Sequence, residues 1–313
     1  MEDLQQEHSV QYSVVVPVYN AEKSLVELCE RLVSFFKATS YQYEIIFVDD
    51  RSIDKSWQII KELKLRFPFV RGVRLSRNFG QHNATCSGFK LANGNYVVTI
   101  DDDLEVSPED IGLLIDRQSK VKSWLVYGHY KHVERPIIRQ FFKVIYSLIA
   151  KVIEGKARVN GSSFRLLKAD LAKKIEANST HFVFIDEACL WYTEEIEFVE
   201  VKHLKSRRGK SNYSLFDLFR LTGEVALYSS VLPLKFVKYI GFTFASINFL
   251  IGLYYLAQKT LFGLAFPGYA SIVISVLFST GLIIFILGVL GEYLSKMFRI
   301  MNNRPTYSIE EEL

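Results

Sequence analysis

Apolar and polar positions divide this chain into two regimes. Up to about residue 234, short apolar runs alternate with segments of helical spacing. Runs rich in β-branched and aromatic residues at Tyr12–Val18, Tyr43–Val48, Val70–Leu75, Tyr96–Ile100 and Leu125–Tyr127 predict strands. Between them, apolar residues recur at helical spacing over 21–37 (Leu25, Leu28, Leu32, Phe35, Phe36), 54–66, 81–92 and 108–119. Short strands separated by such helices predict βαβ units, hence an α/β fold with a mostly parallel sheet. Ligands of these sheets sit at the carboxyl ends of the strands.

Beyond residue 234 the alternation gives way to long apolar runs. Tyr239–Ala257 is 19 residues without a charge, and Gly268–Gly291 is 24 more after Pro267. At about 1.5 Å per residue either run nearly matches or exceeds a hydrocarbon core of roughly 30 Å, so two membrane spans are predicted. Lys235 and Lys238 precede the first; Lys296, Arg299 and Arg304 follow the second; the connection carries only Lys259. That bias places the N-terminal part and the tail in the cytoplasm. Two further stretches, 137–153 and 213–234, mix basic residues with many large apolar ones and read as helices lying in the membrane interface, with core helices as the alternative. The expected organisation is a catalytic domain over 1–212, an amphipathic interface helix over 213–237, two spans within 238–294 and a cytoplasmic tail over 295–313.

Composition narrows the classes. The 313 residues carry a net charge of +4, too mild to argue for nucleic acid, and 23% charged residues exclude a disordered chain. A mean hydropathy of +0.12 despite that charge is what uneven apolar runs produce. Cys29, Cys86 and Cys189 share no ligand spacing and read as buried thiols of a reducing compartment. The polar, acidic start MEDLQQEHSV predicts no signal peptide.

Chemistry concentrates where strands end. GxGxxG, HExxH and GxSxG are absent, and Gly209-Lys210-Ser211 mimics only the end of a phosphate loop, with Leu at 204. Asp101-Asp102-Asp103-Leu104-Glu105 directly follows the run YVVTI. Three carboxylates at a strand end repel one another unless solvated or neutralised, and alternate carboxylates suit a hard ion such as Mg²⁺ or Mn²⁺ that also binds phosphates. An acidic turn capping the helix near Pro108 is the plainer alternative. Asp49-Asp50 ends the second run and Pro17-Val18-Tyr19-Asn20 the first, while Arg74, Arg77 and Asn78 follow the third. Aromatic, amide and carboxylate groups converging at strand ends fit a nucleoside diphosphate held through a metal.

The order VVVPVYN, VDDRSIDKS, SRNFGQHNAT, DDDLE-SPED resembles the family 2 glycosyltransferases, with their nucleotide-sugar-binding A-type fold. RRGKSNYSLFDLFRL, PLKF, GVLGEYLSKMF and RPTY sharpen the likeness to polyprenyl-phosphate glycosyltransferases of the dolichol-phosphate-mannose-synthase-like, bactoprenol glucosyltransferase type, over about Tyr12–Tyr307. The resemblance implies that Pro17, Tyr19 and Asp50 line the nucleobase and ribose pocket, with Arg77 and Asp102 near the nucleotide. It implies Asp101 and Asp103 as metal ligands, and Glu105, where the family usually carries Gln, as a further metal-side ligand. Arg135 and Arg139 fall where relatives engage the lipid phosphate, and Arg207, Arg208, Lys210, Ser211 and Tyr213 match a basic loop suited to phosphate. That loop also reads as a juxtamembrane basic patch for anionic lipid.

Three departures stand out. Ala21 replaces the familiar Glu, Arg51 stands where Gly is commoner, and the loop Asn160–Ser163 before Phe164-Arg165-Leu166 lacks the carboxylate many relatives place there. Asp186 or Glu187 is then the remaining candidate base, or a helix-start carboxylate. A phosphate monoester, with a second pKa near 6, needs positioning more than a base. The implied reaction is inverting transfer of a sugar, with UDP the expected nucleotide, to undecaprenyl or dolichyl phosphate at the cytoplasmic face of a bacterial inner membrane. Relatives form tetramers, so a homo-oligomer is carried as an expectation. A transferase acting on a glycan or lipid-glycan, and a non-catalytic nucleotide-sugar-binding membrane scaffold, are the alternatives; the QxxRW signature of processive synthases is absent.

Overall fold

A computed structural model describes residues 10–130, 161–178, 185–202, 204, 232–262, 268–301 and 305–313. The chain divides into two compact units, one of residues 1–140, 159–212 and 304–313, the other of 141–158 and 213–303.

The first unit is built on an eight-stranded sheet. Its strands are β1 (Tyr12–Val18), β2 (Tyr43–Asp49), β3 (Val70–Leu75), β4 (Tyr96–Thr99), β5 (Leu125–Tyr130), β6 (Arg165–Lys168), β7 (Ile196–Val201) and β8 (Ile309–Glu312), in the order β7-β5-β6-β4-β1-β2-β3-β8. The expected strands all form, within a residue or so except for β5, which runs three residues further. β1 pairs in parallel with β2 and β4, β2 with β3, and β5 with β7. The antiparallel pairings all involve β6 or β8, two strands too short to announce themselves in sequence.

Helices α1 (Leu25–Ala38), α2 (Ser56–Arg66), α3 (Gln81–Leu91), α4 (Ile111–Val121), α5 (Ala169–Ala177) and α6 (Ile185–Tyr192) cover the two faces. Central β1 is buried on both sides, as the apolar run Val14–Val18 requires, and its one polar residue, Ser13, donates to Glu44 at 2.6 Å. Val14, Val16 and Val18 face a core with Leu28, Phe36, Ile60 and Leu114; Val15 faces another with Cys86, Phe89, Leu171 and Cys189. All three cysteines are free and buried in these cores.

The last strand comes from far along the chain. β8 pairs antiparallel with β3 and its acidic residues meet a row of cations. Glu310 pairs with Arg51, Glu311 with Lys61 at 2.8 Å, and Glu312 with Arg71 at 2.9 Å. Trp57 Nε1 donates to Glu311 at 3.0 Å, and Tyr307 OH to Glu176 at 2.7 Å. Leu313 packs over Gly72, where a Cβ would stand 2.6 Å from Ile60 and 3.0 Å from Leu313. Part of the expected tail is therefore an edge strand of the sheet.

The second unit contains α7 (Leu232–Phe262) and α8 (Tyr269–Met301), helices of 31 and 33 residues. Val237–Tyr254 and Phe278–Ser295 are long and apolar enough to cross a membrane, and almost none of either window is buried. Phe244 and Phe278 bring the two helices into ring contact at 5.2 Å. α7 starts at Leu232, ahead of the boundary expected at 238, and its Pro233 sits in the first turn where no N–H is missed. The interface helix expected over 137–153 lies outside the described residues, as do residues 213–231 of the one expected over 213–234, whose last residues belong to α7.

Removing residues 306–313 strips the apolar contacts of Tyr307, Ile309 and Leu313 from the sheet edge. On the order of 2 kcal/mol is lost, lowering the thermal midpoint of the first unit by about 4–8 °C in a circular-dichroism melt.

Candidate active site

Four neighbouring parallel strands, β4, β1, β2 and β3, end side by side, and their carboxyl-end loops form one cleft. It encloses about 260 Å³ and is lined by Pro17, Val18, Tyr19, Asp50, Asn78, Gly80, Gln81, Asp101, Asp102 and Asp103. Its rim is open, since Tyr19, Asn78 and Gln81 are exposed, while Asp50 and Asp102 are each 3% exposed.

The loops after β1, β2 and β4 each hold a non-glycine residue in the left-handed region: Asn20 (φ +53°), Arg51 (φ +62°) and Leu104 (φ +59°). Asn tolerates that region; Arg and Leu do so at a cost that surrounding contacts must overcome. At Arg51 a glycine would meet no such cost, and the pairing of the guanidinium with Glu310 helps hold the side chain that stands there.

Hydrogen bonds lace the loops together. Tyr19 N donates to Asp102 Oδ2 at 3.0 Å, and Ser24 Oγ to the Asp102 carbonyl at 2.5 Å. Asn20 N donates to Ser52 Oγ, and Ile53 N to Asn20 Oδ1, both at 3.0 Å. Asp50 accepts from Phe79 N at 2.7 Å and from Gly80 N at 2.8 Å. Gly80 has φ +89°, a conformation glycine adopts freely, and this turns its N–H and that of Phe79 inward to the carboxylate. Burial nevertheless pushes the Asp50 carboxyl up to about 6, against those two donors. Buried Asp49 is pushed up for the same reason and pairs with Arg74 at 3.2 Å.

The β4 turn crowds charge. Asp101 accepts from Gln81 Nε2 at 2.5 Å and from Ser163 Oγ at 2.6 Å. Burial pushes its carboxyl up to about 6, and the nearby Asp103 and Glu105 add to the rise. Asp103 Oδ1 accepts from Glu105 N at 3.0 Å. Among the described residues no three His, Cys, Asp or Glu side chains are gathered as a preformed metal centre. The donor chemistry nonetheless fits a hard cation: Asp101 and Asp103 put carboxylates on one cleft, and crowded negative charge is what such an ion relieves.

The structure thus brings Pro17, Tyr19, Asp50, Asp101, Asp102 and Asp103 into one cleft. Glu105 is not among the lining residues; its carbonyl accepts from Leu204 N at 2.8 Å. Arg77 is also outside the lining, its guanidinium 4.6 Å from the Phe79 ring centroid. Asp186, at the start of α6, accepts from Arg165 and Tyr127 instead of lining the cleft. Arg135, Arg139, Arg207, Lys210 and Ser211 lie outside the described residues, as do Arg208 and Tyr213. Sequence reading missed Gly80, Gln81, Ser163 and Arg165. Only the quoted SRNFGQHNAT and FRL segments marked their neighbourhood, because a donor gains its role from what the fold sets opposite it.

Asp50 provides a test by pH. Its folded pKa lies above the ordinary value near 4, so ionisation costs the folded state; the cost sets in near pH 4 and is complete above about 6. Asp50→Asn loses an acceptor for the Phe79–Gly80 turn but escapes that cost. Relative to this variant, wild type should lose about 2 kcal/mol between pH 4 and 7.5, read from denaturant unfolding of both proteins across that range.

Comparison with known proteins agrees with this geometry. The profile described as Glycosyl transferase family 2 matches residues 13–176. The SfII prophage-derived bactoprenol glucosyl transferase of Shigella flexneri is 30% identical over 300 residues, covering 96% of this chain and 97% of that protein. The undecaprenyl-phosphate 4-deoxy-4-formamido-L-arabinose transferase of Pseudomonas fluorescens is 30% identical over 305 residues, covering 96% and 89%. Among solved structures, glucosyl-3-phosphoglycerate synthase from Mycobacterium tuberculosis, in complex with Mn²⁺ and UDP-glucose, superposes with a TM-score of 0.50 at 15% identity, over 69% of this chain and 77% of that one, a likeness of fold. The chain belongs to glycosyl transferase family 2 and is a glycosyltransferase whose full-length relatives include bactoprenol and undecaprenyl-phosphate transferases.

Proposed function

We propose that this enzyme transfers a sugar from a nucleoside diphosphate sugar, with UDP the expected nucleotide, to the phosphate of a polyprenyl carrier, with inversion at the anomeric carbon. The observation that carries the reading is the sharing of one cleft by Tyr19, Asp50 and the Asp101–Asp103 carboxylates, in a chain aligned end to end with bactoprenol transferases. Tyr19 offers an exposed ring to a nucleobase, and Asp50 a carboxylate to base or ribose hydroxyls.

Asp101 and Asp103 would hold Mg²⁺ or Mn²⁺, which when bound supplies charge neutralisation for the diphosphate. Glu105 and Asp102 belong to the same turn: Asp102 ties it to the Tyr19 backbone, and the Glu105 backbone fixes Asp103. Arg135, Arg139, Arg207, Lys210 and Ser211 are proposed to engage the lipid and nucleotide phosphates, guanidinium forks being suited to bidentate phosphate contact. The acceptor arrives largely deprotonated near neutral pH, so positioning dominates over base catalysis. We place the enzyme in the membrane through α7 and α8, with its cleft on the cytoplasmic side beside the lipid headgroup, acting as a homo-oligomer.

The deciding experiment is sugar transfer from a panel of nucleotide sugars to undecaprenyl phosphate in detergent, with Mg²⁺, Mn²⁺ or EDTA. A lipid-linked product is expected with at least one donor, abolished by EDTA and reduced about 100–1,000-fold in Asp103→Ala. No product from any donor, despite measurable UDP binding, overturns the lipid-phosphate acceptor.

A further inference from the structure

Behind the carboxylate turn runs a line of hydrogen bonds that ends on a buried ion pair. Asp101 Oδ2 accepts from Ser163 Oγ at 2.6 Å. The Ser163 carbonyl accepts from Thr99 Oγ1, which itself accepts from Arg165 Nε at 3.2 Å. Arg165 Nη1 donates to Asp186 Oδ1 at 2.5 Å, and Tyr127 OH donates to the same oxygen at 2.9 Å.

Arg165 is 3% exposed, with its guanidinium 5.7 Å from the Tyr127 ring centroid. A guanidinium so deep is tolerated only with a partner, and Asp186 supplies it. Burial pushes the Tyr127 hydroxyl far up, so it serves Asp186 as a donor. Gly161 lies so close to Asp186 that a Cβ there would fall on the carboxylate. Arg165 is also a cation acting on Asp101, where burial, Asp103 and Glu105 all work against the charged form.

We propose that Arg165 and Asp186 are positioning residues for Asp101: the pair, acting through Thr99 and Ser163, holds this carboxylate in the place and orientation a divalent cation requires. Asp186 then works on Arg165 and not as a proton acceptor. The inference rests on the reading of Asp101 as a metal-side ligand. Partners that orient a ligating carboxylate typically contribute about 10–100-fold to metal affinity.

The test uses the full-length protein in detergent. Mn²⁺ binding in the presence of UDP is followed by electron paramagnetic resonance, UDP binding in EDTA by calorimetry, and kcat and KM by transfer. Arg165→Met and Asp186→Asn should each weaken Mn²⁺ binding about 10–100-fold while UDP binding in EDTA stays unchanged. Arg165→Lys should recover part of the loss. Adding Ser163→Ala to Arg165→Met should cost less than the two effects multiplied, because both act through one path. If Arg165→Met fails to fold, Ser163→Ala, which leaves the buried pair intact, must still weaken Mn²⁺ binding.

Several results overturn the proposal. Wild-type Mn²⁺ binding in Asp186→Asn with kcat alone collapsed assigns Asp186 to the chemistry. Equal losses of UDP binding in EDTA reduce the pair to general packing, and unchanged Mn²⁺ binding in Ser163→Ala breaks the path. Absence of Mn²⁺ binding to the wild-type protein with UDP sinks the metal reading itself, together with this inference.

Discussion

Negative charge crowded at the carboxyl ends of adjacent strands is the constraint that organises this molecule. Asp49, Asp50, Asp101, Asp102 and Asp103 end β2 and β4, and three of them are almost fully buried. Removing carboxylates from water and setting them side by side is unfavourable twice over, so each must find donors. The surrounding loops are shaped by that need. Phe79 and Gly80 turn their N–H groups to Asp50, Tyr19 gives its own to Asp102, and Gln81 and Ser163 converge on Asp101. Left-handed backbone at Arg51 and Leu104 is the conformational consequence. What stays incompletely compensated is the charge that the proposed cation would neutralise.

A second layer of charge steadies the first from outside the cleft. Arg74 reaches Asp49 at 3.2 Å and Glu310 at 4.0 Å, and Arg51 meets Glu310 as well. The strand that brings Glu310 lies beyond the long apolar helices in sequence, yet it belongs to the catalytic sheet. Exposed pairs of this kind contribute little individually, but here they accompany a backbone ladder and the packing of Leu313 on Gly72. The chain after α8 is therefore part of the sheet whose strand ends form the cleft.

Much of this was legible before any coordinates. The runs at Tyr12–Val18 and Val70–Leu75 are strands with those same bounds; in the first, Val14–Val18 is apolar throughout because it is buried on both faces, and in the second Val70, Val73 and Leu75 mark the strand although Arg71 and Arg74 interrupt it. The charge-free runs in α7 and α8 were equally plain, since length without charge is a one-dimensional property. The cleft carboxylates stood out because acidic residues directly after an apolar strand have nowhere to be but its end. β6 and β8, at four residues each, were not legible: their pairing depends on partners far away in the chain.

Sequence by itself thus determined the fold class, the two apolar helices and which strand ends carry the carboxylates, all properties of local pattern and order. Tertiary structure alone decided which neutral groups serve those carboxylates. Gln81 and Ser163 are distant in sequence from one another and unremarkable in kind, and they become partners of Asp101 only when α3, β4 and the approach to β6 are brought together, with Arg165 reaching it through Thr99. It likewise set Asp186 against Arg165 and Tyr127, and turned an acidic tail into an edge strand. Hydrogen bonds act over about 3 Å, so their pairing is written in space and not in the order of residues.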